Sequence, residues 1–303
     1  MSVFKGKIAN LITSGDAITK FEGGSWTKNI LRFDTENYKC EINIYPDLLK
    51  YDFKKDDYRG RFIESGIIDI QGVNSTSEGE IVLTDICWLL SLATMSHVIW
   101  YQYDFNGSGR GTNGDGRYNS WRPLLNYDEH ECIKNFMGAA FCKYQELKDK
   151  RNLPAVIHYL LKCDEPNQPL EISFLFTSII LESLKSTFAH QKYEYDNSGF
   201  LIPNTDKPKC GNGKKCIQRY LSFEELLMEM FAEVGMQPDL KDIKKLRNEV
   251  VHNGLSKDKG YESMRSIYEG AQDIIREYLL RILGYNGSFW IYSTACRQTG
   301  KLS

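Results

Sequence analysis

One stretch, Glu171 to Ala189, constrains the fold of this chain more than any other. Ile172, Phe174, Leu175, Phe176, Ile179, Ile180, Leu181, Leu184 and Phe188 make a helix there apolar on nearly every side. A helix without a polar face belongs inside a core, so this one is predicted to be the central, most buried element. It needs amphipathic partners, and the chain downstream supplies them. Ser222-Phe-Glu-Glu225 has the form of a capping box, in which the Ser hydroxyl and the Glu carboxylate satisfy backbone amides reciprocally. Leu226, Leu227, Met230, Phe231 and Val234 follow at helical spacing, and Gly235 suits the stop. Pro238 suits the first turn of a further helix, which carries Leu240, Ile243, Leu246 and Val250 on one face and ends at Asn253-Gly254. A last helix is predicted from Tyr261 to Leu283. Between them, His190 to Tyr220 has little periodicity, and an unpatterned stretch of about 30 residues in a compact unit is expected to be functional or mobile.

The chain before residue 151 reads differently. Ser25–Asp34, Tyr38–Tyr45, Arg61–Ile70 and Gly79–Leu83 carry β-branched and aromatic residues in partial alternation, separated by Gly, Asn, Asp and Ser, and are predicted strands. A helix is predicted from Thr84 or Asp85, with Ile86, Leu89, Leu90 and Val98 facing the core. Asn106–Gly116, rich in Gly and Asn, is expected to be loop or turn, and a second helix to run from Asp128 to Lys150. The expected class is α+β: a β-rich N-terminal domain with two helices over 1–150, then an all-α bundle over 151–303.

Composition narrows the setting. The chain has 303 residues, enough for two domains with separate cores. The formal net charge is -2, so a nucleic-acid partner would be held by local basic clusters and bind in a salt-sensitive way. The eight cysteines show no close pairing, and several sit in apolar helical stretches, where a reduced thiol acts as a small hydrophobe. No signal peptide is expected, since Met1–Asp16 has no uninterrupted apolar core, and no membrane span, since Ile86–Trp100 is interrupted by polar residues and shorter than the roughly 20 residues a bilayer needs. The expectation is a soluble, reducing, cytoplasmic protein.

The chemistry concentrates at the end of the penultimate predicted helix. Asn248 and His252 are four residues apart and share a helix face, and the long stem of Arg247 can bring its guanidinium to the same place. Leu246 and Val250 point elsewhere, so the polar trio is expected away from the core. The negative end of the helix dipole there favours a protonated imidazole. RNA cleavage by the neighbouring 2′-hydroxyl needs a base, an acid and a cation on the phosphate. An imidazole can be the base or the acid. A guanidinium grips phosphate oxygens bidentately. One such helix offers a single His, and a two-fold dimer would complete the acid–base pair. Glu182, on the otherwise apolar helix, is expected to ion-pair with Arg247 rather than reach solvent.

Lys245-Leu-Arg-Asn-Glu-Val-Val-His-Asn-Gly254, on a helix that follows the apolar one, resembles the R-N-x-x-x-H motif of HEPN domains at all three of its fixed positions. The layout is most similar to ApeA-like HEPN proteins of prokaryotic defence, in which a β-rich region precedes the bundle. That resemblance implies a metal-independent, cofactor-free endoribonuclease, dimeric through the bundle, with Arg247, Asn248 and His252 catalytic. It implies RNA as substrate and a toxin or defence role; the β-rich N-terminal region is then expected to be a sensor or specificity domain, with a regulatory protein or trigger among the partners. The alternative is a non-catalytic HEPN module that binds a nucleotide, an RNA or a protein. The position two residues after His252 is Gly254, where the branch silenced by nucleotidyltransferases has Tyr, so that control is not expected.

Other signals are weaker. Lys207, Lys209, Lys214, Lys215 and Arg219 could track an RNA backbone. Cys210 and Cys216 lack a second ligand pair, so no zinc site is expected. Gly109–Gly114 matches a dinucleotide fingerprint but no helix is predicted after it. Arg151-Asn152 with His158 echoes the motif by accident, because Pro154 starts a helix after the Arg. His97 and His130 are expected to be structural.

Overall fold

The computed structural model describes residues 2–20, 26–50, 58–112, 116–119, 121–126, 130–197, 199–201, 220–253, 260–294 and 298–302. Its fold is α+β. Strands β1 (Val3–Ala9), β2 (Ala17–Lys20), β3 (Trp26–Asp34), β4 (Lys39–Ile44), β5 (Glu64–Gln71), β6 (Ile99–Phe105) and β7 (Ser108–Gly111) form one seven-stranded sheet, ordered β2-β3-β4-β5-β1-β6-β7, with every pair antiparallel. Alternation on β4 turns Cys40, Ile42 and Ile44 inward, where Phe4, Ile8, Ile68 and Ile70 meet them.

Helix α1 (Thr76–Thr94) covers this face, with Val82, Leu83, Ile86, Leu89 and Leu90 buried. Here the structure corrects the expectation: Gly79–Leu83 is helical, not a strand. Ser75 caps the helix by accepting the Glu78 amide, and Gly79 is where the Phe4 ring rests on the helix backbone, a Cβ there lying 2.1 Å from that ring. Within the run that mimics a strand, Gly79, Val82 and Leu83 are buried while Ile81 is exposed, which is the period of a helix. Val98 lies beyond the end of α1, in the chain entering β6. The Asn106–Gly116 stretch is partly strand: Asn106 and Gly107 both take positive φ, 53° and 79°, and close the hairpin of β6 and β7. An Asn-Gly pair in this conformation matches the twist of the flanking strands.

Helix α2 (His130–Leu147) packs on α1, and Lys148 reaches the buried Asp85 at 2.8 Å. Burial, first among its causes, raises the Asp85 pKa against the opposing pull of Lys148. Helix α3 (Leu153–Cys163) leads to α4 (Leu170–Lys192), which packs against α3 and against three later helices, α5 (Phe223–Ala232), α6 (Lys241–Asn253) and α7 (Tyr261–Ile282). Two short hairpins interrupt the helical half, β8 (Tyr195–Asp196) with β9 (Gly199–Phe200), and β10 (Ser288–Ile291) with β11 (Gln298–Lys301). The apolar core runs without a break from β1 to the C-terminal hairpin.

Helix α4 is long and apolar enough, by length and composition, to cross a membrane, yet half of that stretch is buried within the protein. Its burial is one-sided, which corrects the expectation of an all-round core helix. Phe174, Ile180, Leu181, Leu184 and Phe188 are buried, while Ile172 is exposed and Leu175, Phe176 and Ile179 are half-buried. Those four share the opposite face at helical spacing.

The last helix is tied down by charge. Arg276 is fully buried and donates to Asp164 Oδ2 at 2.9 Å, beside the ring of Tyr292. Tyr268 and Arg122 reach the other oxygen of Asp164, at 3.0 and 3.9 Å. Asp273 accepts the Tyr292 and Ser293 amides at 2.9 and 2.7 Å, which fastens the C-terminal hairpin to α7.

Candidate active site

Helix α6 begins where Asp239 Oδ1 accepts the Lys241 amide at 2.9 Å. Pro238 therefore lies upstream of the helix and not in its first turn, because Asp239 supplies the cap. Leu240, Ile243, Leu246 and Val250 are buried and hold the helix against α4 and α7. This packing sets the direction of everything else on α6.

Arg247 leaves the edge of that buried face and turns back toward α4. One nitrogen of its guanidinium pairs with Glu182, and Nη1 donates to Asn248 Oδ1 at 3.0 Å. The planar group lies 4.5 Å over the centroid of Phe223. Phe223 opens α5, and the capping box predicted for Ser222 and Glu225 is present in full, which fixes the ring beneath the guanidinium. Lys185 Nζ reaches the other oxygen of Glu182 at 2.6 Å and lies 5.3 Å from the same ring. Three helices thus converge on one cluster with two cations and one carboxylate.

The cluster is half-enclosed: the side chains of Arg247, Glu182 and Lys185 are 21%, 34% and 13% exposed. Arg247 Nε is shut off from solvent and has no hydrogen-bond partner among the described residues. An unsatisfied buried donor costs about 1–3 kcal/mol. The guanidinium is therefore held in place but incompletely served, which an incoming acceptor could remedy.

Asn248 is exposed beside this cluster. His252 lies four residues further on, in the last turn of α6, where the helix dipole favours a cation. The side chain of His252 lies outside the described residues, as do Lys207, Lys209, Lys214, Lys215 and Arg219, with Cys210 and Cys216. The structure brings together Arg247, Asn248 and Glu182, and the pairing expected between Glu182 and Arg247 is present. Lys185 and Phe223 were missed by sequence reasoning. The signal for Lys185 is its spacing of three from Glu182; Phe223 carries none beyond its place after a capping Ser. Arg151 is buried against Phe188 and donates to Tyr278 Oη at 3.0 Å, while His158 lies in a different cavity, so the second Arg-Asn…His echo does not form a site.

Among the described residues no group of three or more His, Cys, Asp or Glu is placed to hold a metal ion. No protein family model, curated protein or solved structure matches this chain. The HEPN resemblance rests on the motif and its helical setting.

Proposed function

We propose that this protein is a metal-independent, cofactor-free endoribonuclease of the HEPN kind, a cytoplasmic homodimer acting as a prokaryotic toxin or defence effector. The observation that carries it is the Arg247 guanidinium, seated by Glu182, Asn248 and the face of Phe223 with Nε unserved. A phosphate oxygen replacing Glu182 would satisfy that donor and gain a bidentate partner. Lys185 stays with Glu182 when Arg247 turns to the phosphate, so the carboxylate is not stranded.

The chemistry follows from the trio. An imidazole of His252 takes the 2′-hydroxyl proton, the 2′ oxygen bonds to phosphorus, and the bond to the 5′ oxygen breaks. The departing oxygen takes a proton from the imidazolium of the second copy, leaving a 2′,3′-cyclic phosphate and a 5′-hydroxyl. Arg247 stabilises the charge that builds on the phosphate, and Asn248 orients the group beside it. The partly exposed apolar face of α4, with Ile172 exposed and Leu175, Phe176 and Ile179 half-buried, leads to Glu182 and supports a dimer through the bundle. The basic segment from Lys207 to Arg219 follows the RNA strand, and the sheet region meets the trigger or regulatory protein.

The test is cleavage of RNA by the purified full chain in EDTA. Wild-type protein is expected to cut unmodified RNA and to spare RNA blocked at every 2′ position. His252→Ala is expected to lose about 10²–10⁴-fold in rate. Full activity in a folded His252→Ala, or activity that only magnesium restores, overturns this function in favour of a non-catalytic binding module.

A further inference from the structure

Two cavities lie side by side where the sheet meets the helices, and Asn119, Glu165 and Pro166 line both. Neither touches the α6 site. The smaller, about 170 Å³, brings His97 and His158 together, with their rings edge to face at 5.8 Å between centroids. His97 enters from the chain before β6, held by stacking on Trp88 at 5.8 Å and by its amide donating to Arg117 O at 3.2 Å. His158 enters from α3. Arg117 lines the same cavity, is exposed, and makes no ion pair among the described residues. Lys162 also lines it and is paired with Glu165. Two imidazoles and a guanidinium without an ion pair among the described residues, around so small a space, make a place for an oxyanion rather than a ring.

The neighbouring cavity, about 530 Å³, has the opposite character. Trp121 stands in it 51% exposed, with the Arg59 guanidinium 3.7 Å over its ring. A half-exposed indole fixed by a cation on its ring is a stacking surface for a flat ligand. In the shared wall, Asn119 donates Nδ2 to Asp164 O at 2.8 Å, while its Oδ1 is shut off from solvent and accepts from no donor among the described residues. Gly60 lies at the mouth of the smaller cavity with φ +76°, and open space where a Cβ would stand. Arg117 and Trp121 are four residues apart, so even a fully extended chain separates them by at most about 14 Å, the span of one mononucleotide.

We propose that the paired cavities bind a mononucleotide, its phosphate between His97, His158 and Arg117 and its base against Trp121. The phosphate takes the imidazole and guanidinium donors, and the base covers the open indole. Asn119 Oδ1 accepts from the sugar or base at the junction. The site is built by the sheet region and α3 together, so it is independent of the cleavage chemistry on α6.

The full chain titrated calorimetrically with AMP, GMP, CMP, UMP, adenosine, inorganic phosphate and a 5′-phosphorylated trinucleotide tests this. At least one monophosphate is expected to bind saturably, with its nucleoside and phosphate alone each at least tenfold weaker. Trp121→Ala is expected to weaken it by roughly fivefold to a hundredfold, the worth of one base stack, while Trp121→Phe retains most of it. Arg117→Ala is expected to lose about tenfold or more, the worth of a charged hydrogen bond. Both residues are solvent-facing, so both variants should fold, and Arg247→Ala should leave this binding unchanged. Tighter binding of the trinucleotide, lost in the same variants, would identify the ligand as a strand end; preference for the monophosphate would identify a free nucleotide. The proposal is overturned if no monophosphate or trinucleotide binds at millimolar concentration, or if binding survives both Trp121→Ala and Arg117→Ala unchanged.

Discussion

Arg247 and Arg276 sit on successive helices, and each faces a carboxylate on another element, yet they do different things. Arg276 is fully buried, its partner Asp164 is 5% exposed, and Tyr268, Tyr292 and Arg122 close around them. Arg247 is 21% exposed, shares Glu182 with Lys185, and has Asn248 beside it and solvent within reach. The lesson lies in what each pairing can release. Moving Arg276 would leave Asp164, 5% exposed, with the Tyr268 hydroxyl and a 3.9 Å contact to Arg122 in place of a close ion pair, so Arg276 serves as a staple. Moving Arg247 leaves Glu182 with Lys185 and frees a cation for phosphate, so it can serve a reaction. Sequence type does not distinguish them, and among the described residues both guanidiniums keep a buried nitrogen without a partner; burial and the second cation on Glu182 do distinguish them.

The contrast is sharpest in stability. Arg276→Ala leaves Asp164 buried with weak compensation, and urea unfolding is expected to show a loss of about 3–5 kcal/mol. Arg276→Met, which keeps the volume, should lose markedly less. A loss below about 1 kcal/mol for Arg276→Ala would break the comparison, because the two arginines would then be equally dispensable to the fold.

Arg247→Ala should reverse the pattern. Its unfolding free energy is expected to fall by no more than about 1 kcal/mol, the range of half-exposed pairs. Cleavage measured with a fluorogenic RNA is expected to fall about 10²–10³-fold, as when one charge-stabilising donor is removed. Arg247→Lys should recover only part, since an ammonium cannot reproduce the planar fork. A variant that loses stability and activity together would place Arg247 with Arg276.

Ser222→Ala probes the support beneath Arg247. It removes one half of the capping box and is expected to lose about 1 kcal/mol of stability. Activity should fall modestly as Phe223 loosens. Unchanged activity with the full stability loss would show that the ring is not a positioning element.

Thiol labelling gives the finest comparison. Burial pushes the Cys163 and Cys40 thiols up to about 12 and the Cys87 thiol higher still, so iodoacetamide at pH 8 is expected to spare all three in native protein. Arg276→Ala should make Cys163, next to Asp164, reactive in mass spectra, while Arg247→Ala should not. Labelling of Cys163 in the native wild type would show that the staple is looser than its burial implies.

Much of this was legible in the chain. The helices after residue 151, the capping box at Ser222 and three strands follow from period and punctuation, because those signals are local. The Glu182–Arg247 pair was legible too, since a lone carboxylate on an apolar helix needs a cation. The strand expected at Gly79–Leu83 was not, because an apolar run read in isolation has no period, and only Phe4 and Ser75 together show why Gly79 is helical. Strands β1 and β6 escaped because the partners that fix them, β5 for β1 and β1 for β6, lie tens of residues along the chain; the C-terminal hairpin pairs locally, but its strands have only four residues each.

By itself, then, the sequence determined the α+β class, the helical second half and the Arg-Asn-x-x-x-His spacing on one helix, all of which depend on neighbours within a turn or two. Only the tertiary structure decided that α4 leaves one apolar face half-covered, that Lys185 and Phe223 complete the seat of Arg247, that Arg276 is a staple, and that His97 and His158 share a cavity. Those facts join residues separated by tens of positions. Their proximity follows from how the core closes, which no local pattern encodes.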